Sequence, residues 1–462
     1  MNLSKKCICI ALAALTAGSS LCGCSEKTSK ESGNVTTVTV WSGNTHSKEV
    51  ETEYINNWNN SVGKEKGIKI DFLVKDSSTY SQAVDLAVQS GEAPDFFGSS
   101  SVAKLVENDD IVAINDLPGG EEFLKKYNDS GLGREKVNTY NGKWYCVPVS
   151  ASVQGIIYNK DMFKKAGIVD GKGNAKPPET WEEVRADAKK LTDLKKKQYG
   201  IIFPGKWDGW YQSDIGSQMM ASVGHPGFNP ATGKYDYSVL APITETVLGI
   251  KEDKSMYPGV DGLDNDPARA LFAEGNIGMK FGFSFDYGVL TDQFQAKCDW
   301  GVAPCPVVDK NNKYRQIMDY GNSMVINKKS LKKISGEVLM EVFKVISGDD
   351  YVRTMYEKGM AIPYDFDIVR DIKVKDGMKQ WKEFAALVDI SAWYPRSPQK
   401  DSVIFKNPGT VFTEKVWLGK ISPKDYAKEV TDAANEAVKA YYDAHPDEDL
   451  NEFIIKDWNI KR

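Results

Sequence analysis

Strand and helix signals alternate along this chain, and that alternation is the strongest constraint on what it can fold into. Val38 and Val40 alternate with Thr in a run ending at Trp41, the pattern of a strand. A helix is predicted next, with Ser47 as N-cap and Val50, Tyr54 and Trp58 on one face at i, i+4 and i+8. Ile68, Ile70, Phe72 and Val74 then repeat at period two, and Thr79-Tyr80-Ser81-Gln82 has the spacing of a capping box for a helix ending near Gly91. Pro94-Asp95-Phe96-Phe97 opens the next short strand. The same grammar restarts after residue 150. Gly155–Asn159 is strand-like, and Thr180 caps a helix with Glu183 at N3 and Trp181, Val184, Ala188 and Leu191 on its apolar face. Ser422, with Pro423 at N1 and Asp425 at N3, starts a helix carried onward by Tyr426, Val430, Ala433, Ala437 and Tyr441. Strands separated by helices are βαβ units, so the fold class is α/β, with parallel or mixed sheets covered by helices. No repeat of 20–50 residues is visible, which excludes a solenoid or propeller.

The length of 462 residues suits two or three domains, and a formal charge of −5 supplies no basic surplus for a nucleic-acid partner. Four of the seven Cys lie in the first 24 residues, which sets the N-terminus apart. Lys5 and Lys6 precede an apolar stretch from Cys7 to about Ala17, followed by small residues. That is the layout of a secretory signal, too short for a spanning helix. Leu21-Cys22-Gly23-Cys24 resembles the bacterial lipobox, which implies a signal over 1–23, cleavage after Gly23 and a diacylglyceryl group on Cys24. Residues 24–37 are polar and aperiodic, as a flexible tether would be. Of the remaining Cys146, Cys298 and Cys305, the last two are spaced so that either a bridge or two free thiols would fit.

Catalytic and cofactor signatures are missing. His46, His225 and His445 show no metal-ligand spacing, and neither a Walker A loop nor a Gly-x-Gly-x-x-Gly follows a strand. Gly282-Phe283-Ser284-Phe285-Asp286 lacks the final Gly of a nucleophile elbow. Asp261, Asp264 and Asp266 cluster without Ca²⁺-loop spacing and suit a solvated loop better than an ion site. No cofactor, no metal and no enzymatic activity are expected.

Several segments, in order, resemble one family. Tyr140–Val149 and Ile156–Ile168 are similar to the "dGkiYgvPv" and "lYNkdlFkkaGi" segments of bacterial extracellular solute-binding proteins, family 1. Ala93-Pro94-Asp95, Pro177–Glu183, Phe272–Met279 and Asn322–Lys328 match further segments, so the resemblance covers most of residues 35–440. It points to the maltose-binding-protein-like carbohydrate lipoproteins of ABC importers. The resemblance implies a type II periplasmic-binding-protein fold: two α/β lobes with a hinge and an interlobe cleft. Lobe 1 would be 38–152 plus a return segment 317–363. Lobe 2 would be 156–312 plus a C-terminal helical segment 368–462. The ligand would lie between them, at the carboxyl ends of strands.

Sugars offer apolar C–H faces and a rim of hydroxyls, which aromatic rings and Asp, Asn, Gln or Arg side chains match. Trp207-Asp208-Gly209-Trp210-Tyr211, following a strand over 199–203, is the richest stretch of this kind, and Trp210 is its expected stacking ring. Trp41 ends the first strand and leads into Asn44 and His46, in the loop that faces ligand in relatives. Ser152 and Gln154 stand at the first crossover, where maltose binders carry an acid, which argues against maltose here. Phe283, Phe285 and Asp286 follow the Met279 strand, where relatives place "G.W" and Phe here replaces Trp, while Asp319, Tyr320 and Asn322 lie at the returning crossover. Trp393, Tyr394 and Arg396 form an aromatic-cationic cluster. The expectation is a monomeric, lipid-anchored importer subunit on the outer face of the bacterial cytoplasmic membrane. It would deliver an oligosaccharide to permease subunits. A binder of a peptide, polyamine or phosphodiester, and a surface glycoside hydrolase, are the alternatives.

Overall fold

Val38 and Val40 are fully buried on the strand Thr36–Ser42, which pairs in parallel with Ile68–Val74 so that Val38 faces Ile70 and Val40 faces Phe72. Phe96–Phe97 adds in parallel on the other side and Val325–Ile326 closes that edge antiparallel, giving a four-stranded sheet. This is a computed structural model. It describes residues 35–462 apart from 77–78, 100, 129–131, 136, 208–209, 370, 374, 376, 394–395 and 399–404. The signal and Cys24, and also Asp208 and Tyr394, lie outside the described residues, as does the side chain of Tyr320.

The second sheet is organised by one long strand, Pro148–Asn159, buried over almost its whole length. Ile277–Phe283 runs antiparallel along one edge, and Tyr199–Ile201 pairs beyond it. Along the other edge, Gln316–Asn322 takes the first half of the long strand and Trp300–Ala303 the second; Ser391–Trp393 lies outside Gln316–Asn322. Alternate residues feed two cores. Ile156, Tyr158, Met279 and Phe281 pack with the helices Trp181–Leu191, Leu240–Glu252 and Pro423–Ala444. Val153, Ile157 and Val302 pack on the other face with Phe272, Trp381 and Phe384. A sheet covered on both faces buries nearly every strand residue, hence the unbroken apolar run Ile156-Ile157-Tyr158.

Three stretches pass from the core of the first sheet to a core of the second. Val147 belongs to the first and Ala151 to the second; Ile326 and Met318 divide likewise, as do Ile346 and Tyr356. The described residues contain no helix long and apolar enough to cross a membrane. Cys146, Cys298 and Cys305 are free thiols.

The caps divide. The Thr180 hydroxyl accepts from the Glu183 N–H at 3.2 Å and the Ser422 hydroxyl from the Asp425 N–H at 3.1 Å. At Tyr80–Ser90 the expected capping box does not form: Thr79 is the N-cap without a side-chain bond to the helix, and its hydroxyl turns back to the Asp76 carbonyl. Ser47 precedes Lys48–Trp58, also without a capping bond. That helix buries Glu51 and Ile55, while Val50, Tyr54 and Trp58 are only half-buried. An apolar-periodicity argument cannot find a face whose centre is a carboxylate.

Candidate ligand-binding site

Both sheets present strand carboxyl ends to the same gap. Ser42 ends the first strand, and Gly43-Asn44-Thr45-His46 leads from it into the helix Lys48–Trp58. Gly43 is required here: a Cβ would stand 2.8 Å from the Tyr80 ring. Tyr80 fastens two strand ends, its hydroxyl donating to the Trp41 carbonyl at 2.9 Å and accepting from the Gly98 N–H at 2.8 Å. Trp41 is half-buried with the Lys75 ammonium 3.9 Å above its ring.

The opposing wall follows the strand Ile277–Phe283. Phe283 and Phe285 are half-buried, with their rings stacked at 5.4 Å between centroids and 11° between planes. His46 crosses from the first sheet to lie 5.8 Å from the Phe285 ring. Desolvation in this gap, then the Arg269 guanidinium, lower the His46 pKa below the ordinary imidazole value, with Asp286 pulling the other way. The ring is therefore neutral at pH 7 and can both donate and accept a hydrogen bond.

Beneath the phenyl pair runs a chain of buried charges. Asp286, 2% exposed, accepts from Arg269 Nε at 2.6 Å, Lys280 Nζ at 3.2 Å and the Phe283 N–H at 3.1 Å. Burial pushes its carboxyl up, but Lys280 and Arg269 outweigh that and hold it below the usual carboxylate range. Gly282 leaves room for it, since a Cβ there would collide with Asp286 Oδ2. Lys280 also donates to the Phe281 carbonyl at 2.6 Å. Asp214 is buried nearby, and burial pushes its carboxyl up to about 7 against the attraction of Lys280. Asp286 thus serves as a clamp folding the Phe283–Phe285 turn, not as a free hydrogen-bonding group.

Other expected site residues fall elsewhere. Gln154 pairs with Phe283 across the sheet, but its side chain is consumed internally, bonded to the Ser213 carbonyl and the Ser217 hydroxyl. Ser152 stands opposite Asp319; Asp319 and Asn322 are exposed and Ser152 half-buried. Trp210, 5% exposed, packs edge-on against Phe203, Phe412 and Trp417, so it is core and not a stacking surface. Trp207 packs against the same core. Tyr211 is buried too, its hydroxyl bonded to that of Tyr426, and one side faces a cavity of about 300 Å³ shared with Gln212, Phe228, Tyr235 and Tyr237. Trp393 is half-buried against the second sheet. Arg396 is drawn to the C-terminal segment, 4.8 Å from the Phe453 ring and 3.6 Å from Glu452. Of the Asp cluster, Asp264 caps Asn265–Ala273, Asp266 pairs with Arg269 and Asp261 is exposed. No group of His, Cys, Asp or Glu among the described residues could hold a metal.

Of the sequence candidates, the structure brings together His46, Phe283, Phe285 and Asp286. Sequence reasoning missed Arg269, Lys280, Asp214, Tyr80 and Glu51. Lys280 carried a signal, a charge inside an apolar strand run, which demands a buried partner.

A family model for bacterial extracellular solute-binding proteins matches residues 45–333. The chain belongs to that family. A maltotriose-binding protein of Pyrococcus abyssi is 24% identical over 276 residues, 56% of this chain and 51% of that protein. A putative binding protein of Brucella abortus is 28% identical over 195 residues, 40% of this chain and 43% of that one. The chain thus spans about half the length of the curated relatives it matches. Among solved structures, the GacH receptor of Streptomyces glaucescens, studied unliganded and with acarbose, gives a TM-score of 0.68 at 18% identity, covering 88% of this chain and 99% of that one. A maltose/maltodextrin-binding domain of Bdellovibrio bacteriovorus bound to maltotriose gives 0.64 at 17% identity, covering 87% and 100%. The fold is therefore that of the type II periplasmic binding proteins, two α/β lobes, as the sequence resemblance implied.

Proposed function

We propose that this protein is the solute-binding subunit of an ABC importer and captures an oligosaccharide between its lobes. The carrying observation is the stacked, half-buried Phe283–Phe285 pair facing His46 across the gap between the two sheets. A pyranose C–H face suits the phenyl rings, while neutral His46, Asn44 and the exposed Asp319 and Asn322 suit its hydroxyls. Two lobes, one around each sheet, would join where the chain passes between the cores, at 147–151, 318–326 and 346–356, which moves the expected boundaries at 152, 317 and 363; they would close by hinge motion and deliver to the permease. Sugar-binding relatives support the ligand class. The Asp286 carboxylate beside the platform is ion-paired and unavailable as a glycosidic acid or nucleophile, which supports binding without cleavage. A diacylglyceryl group on Cys24 and the 24–37 tether would hold a monomer at the outer face of the cytoplasmic membrane.

Thermal unfolding against a panel of oligosaccharides tests this reading. A true ligand at 100 Kd adds about 2.7 kcal/mol of stability, and Phe285→Ala weakens its binding by ~1–3 kcal/mol. A panel without any stabilising sugar would falsify the ligand class, and cleaved product would replace binder by hydrolase. Loss of the protein from the membrane fraction on Cys24→Ser checks the anchor; unchanged partitioning overturns it.

A further inference from the structure

Glu51 is a buried carboxylate outside the Asp286 network. It sits in the first turn of Lys48–Trp58 and is 2% exposed. Neutral groups donate to it: the Ser42 hydroxyl at 3.3 Å, the Asn44 side-chain amide at 3.3 Å and the Tyr351 hydroxyl at 2.7 Å, with the Ser47 hydroxyl a further partner. Among the described residues no cation pairs with it. Burial pushes its carboxyl above the usual carboxylate range against the hydrogen bonds it accepts; an acid buried on neutral donors alone is costly, and an apolar side chain would serve the packing of this helix better. Its burial is therefore explained by what it joins.

Two of its donors belong to the loop that carries Asn44 and His46 into the gap. The third belongs to the helix Asp349–Glu357, which follows Gly336–Ser347 in the first core and delivers Tyr356 and Ile362 to a core of the second sheet. Tyr54, one turn along from Glu51, reinforces the same junction: its hydroxyl donates to the Val345 carbonyl at 3.1 Å and its ring meets Tyr351 edge-on at 5.8 Å. A carboxylate can accept all three donors at once. A glutamine keeps one acceptor oxygen and makes Ser42 turn its hydroxyl from donor to acceptor, whereas a leucine accepts nothing and removes the junction outright.

We infer that Glu51 is a positioning residue for ligand capture, locking the 42–46 loop to the helix that leads the chain from one lobe to the other. This rests on the reading that the loop meets the ligand. Shifts of that connecting helix during closure are then transmitted to Asn44 through a shared acceptor.

The test uses the full chain with Glu51→Leu and Tyr351→Phe, without and with ligand. In the ligand-free protein, hydrogen exchange over residues 42–47 should rise at least fivefold in both variants, with exchange in 68–74 unchanged. In a titration with maltotriose, xylotriose and arabinotriose well below the melting temperature, a sugar that binds wild type should bind each variant about tenfold more weakly. Unchanged loop exchange in both variants overturns the lock. Faster loop exchange with unchanged affinity overturns the positioning role, since a purely structural contact would behave that way. Wild type silent toward all three sugars counts against the sugar reading alone, because the exchange arm needs no ligand.

Discussion

Replacing Asp286 by Asn tests whether the phenyl platform rests on buried charge. The carboxylate and Lys280 have side chains only 3% and 4% exposed, and Arg269 is 13% exposed. Asn keeps one acceptor for three donors and turns an N–H group toward at least one of them. Removing one partner from a buried ion pair costs about 3–5 kcal/mol. Arg269 retains Asp266, which lies at the surface, whereas Lys280 loses its bonded carboxylate and keeps only the Phe281 carbonyl and the nearby Asp214. Asp214, relieved of a like charge and facing an unpaired ammonium, then ionises more readily and recovers part of the loss. The cost is therefore expected at the lower end, about 3 kcal/mol at pH 7.5, and it grows as acid protonates Asp214. For a folded unit of this length that is a melting shift on the order of 1 °C per kcal/mol. Urea unfolding followed by tryptophan fluorescence at pH 7.5 and 5.5 measures it directly. The double variant Lys280→Met/Asp286→Asn should lose less than the two single losses combined, because each single change strands the other's buried charge. A single-variant loss below about 1 kcal/mol, or strictly additive losses, would refute the assignment.

Trp210→Ala should cost about 3–5 kcal/mol of stability through the cavity left among Phe203, Phe412 and Trp417; weakened sugar binding at unchanged stability would instead make Trp210 a ligand contact. Asp214 has a folded-state pKa of about 7 against ~3.9 unfolded. The folded state therefore binds more protons between those values, and stability falls as pH rises from ~4 to ~7. Asp214→Asn should remove that slope, being more stable than wild type at pH 8 by on the order of 4 kcal/mol and nearly equal to it at pH 4. A difference that does not change with pH contradicts the burial argument. Gly282→Ala should lose about 1–3 kcal/mol by driving a methyl into Asp286 and Ile157, and wild-type stability would show that the turn can relax.

The elements were legible where a local rule sufficed. Period-two runs located Thr36–Ser42 and Ile68–Val74, and Thr180 and Ser422 form the caps their spacing predicts. The capping box at Thr79 failed because a hydroxyl has a second local acceptor, the Asp76 carbonyl, three residues back. The Lys48–Trp58 helix was located, but its buried face was misjudged, because Glu51 is buried for the bonds it accepts from residue 351 and from the preceding loop. Pairings across such separations leave no trace in a periodicity.

The site was legible in part, and the reason separates two kinds of residue. Aromatic density pointed to Trp207, Trp210 and Tyr211, yet Trp210 and Tyr211 spend their rings on Phe412, Trp417 and Tyr426. A ring that can stack on a sugar stacks equally well on another ring, so composition cannot distinguish a ligand surface from a core. A charge in an apolar run is different, because burying it without a partner of opposite sign is costly. Lys280 sits in such a run, Ile277–Phe283, and both carboxylates that face it, Asp286 and Asp214, come from segments bordering the phenyl pair. Followed as an obligation to be paired, that one lysine leads to the end of the second sheet and to Phe283 and Phe285. The aromatic count led instead to the interior.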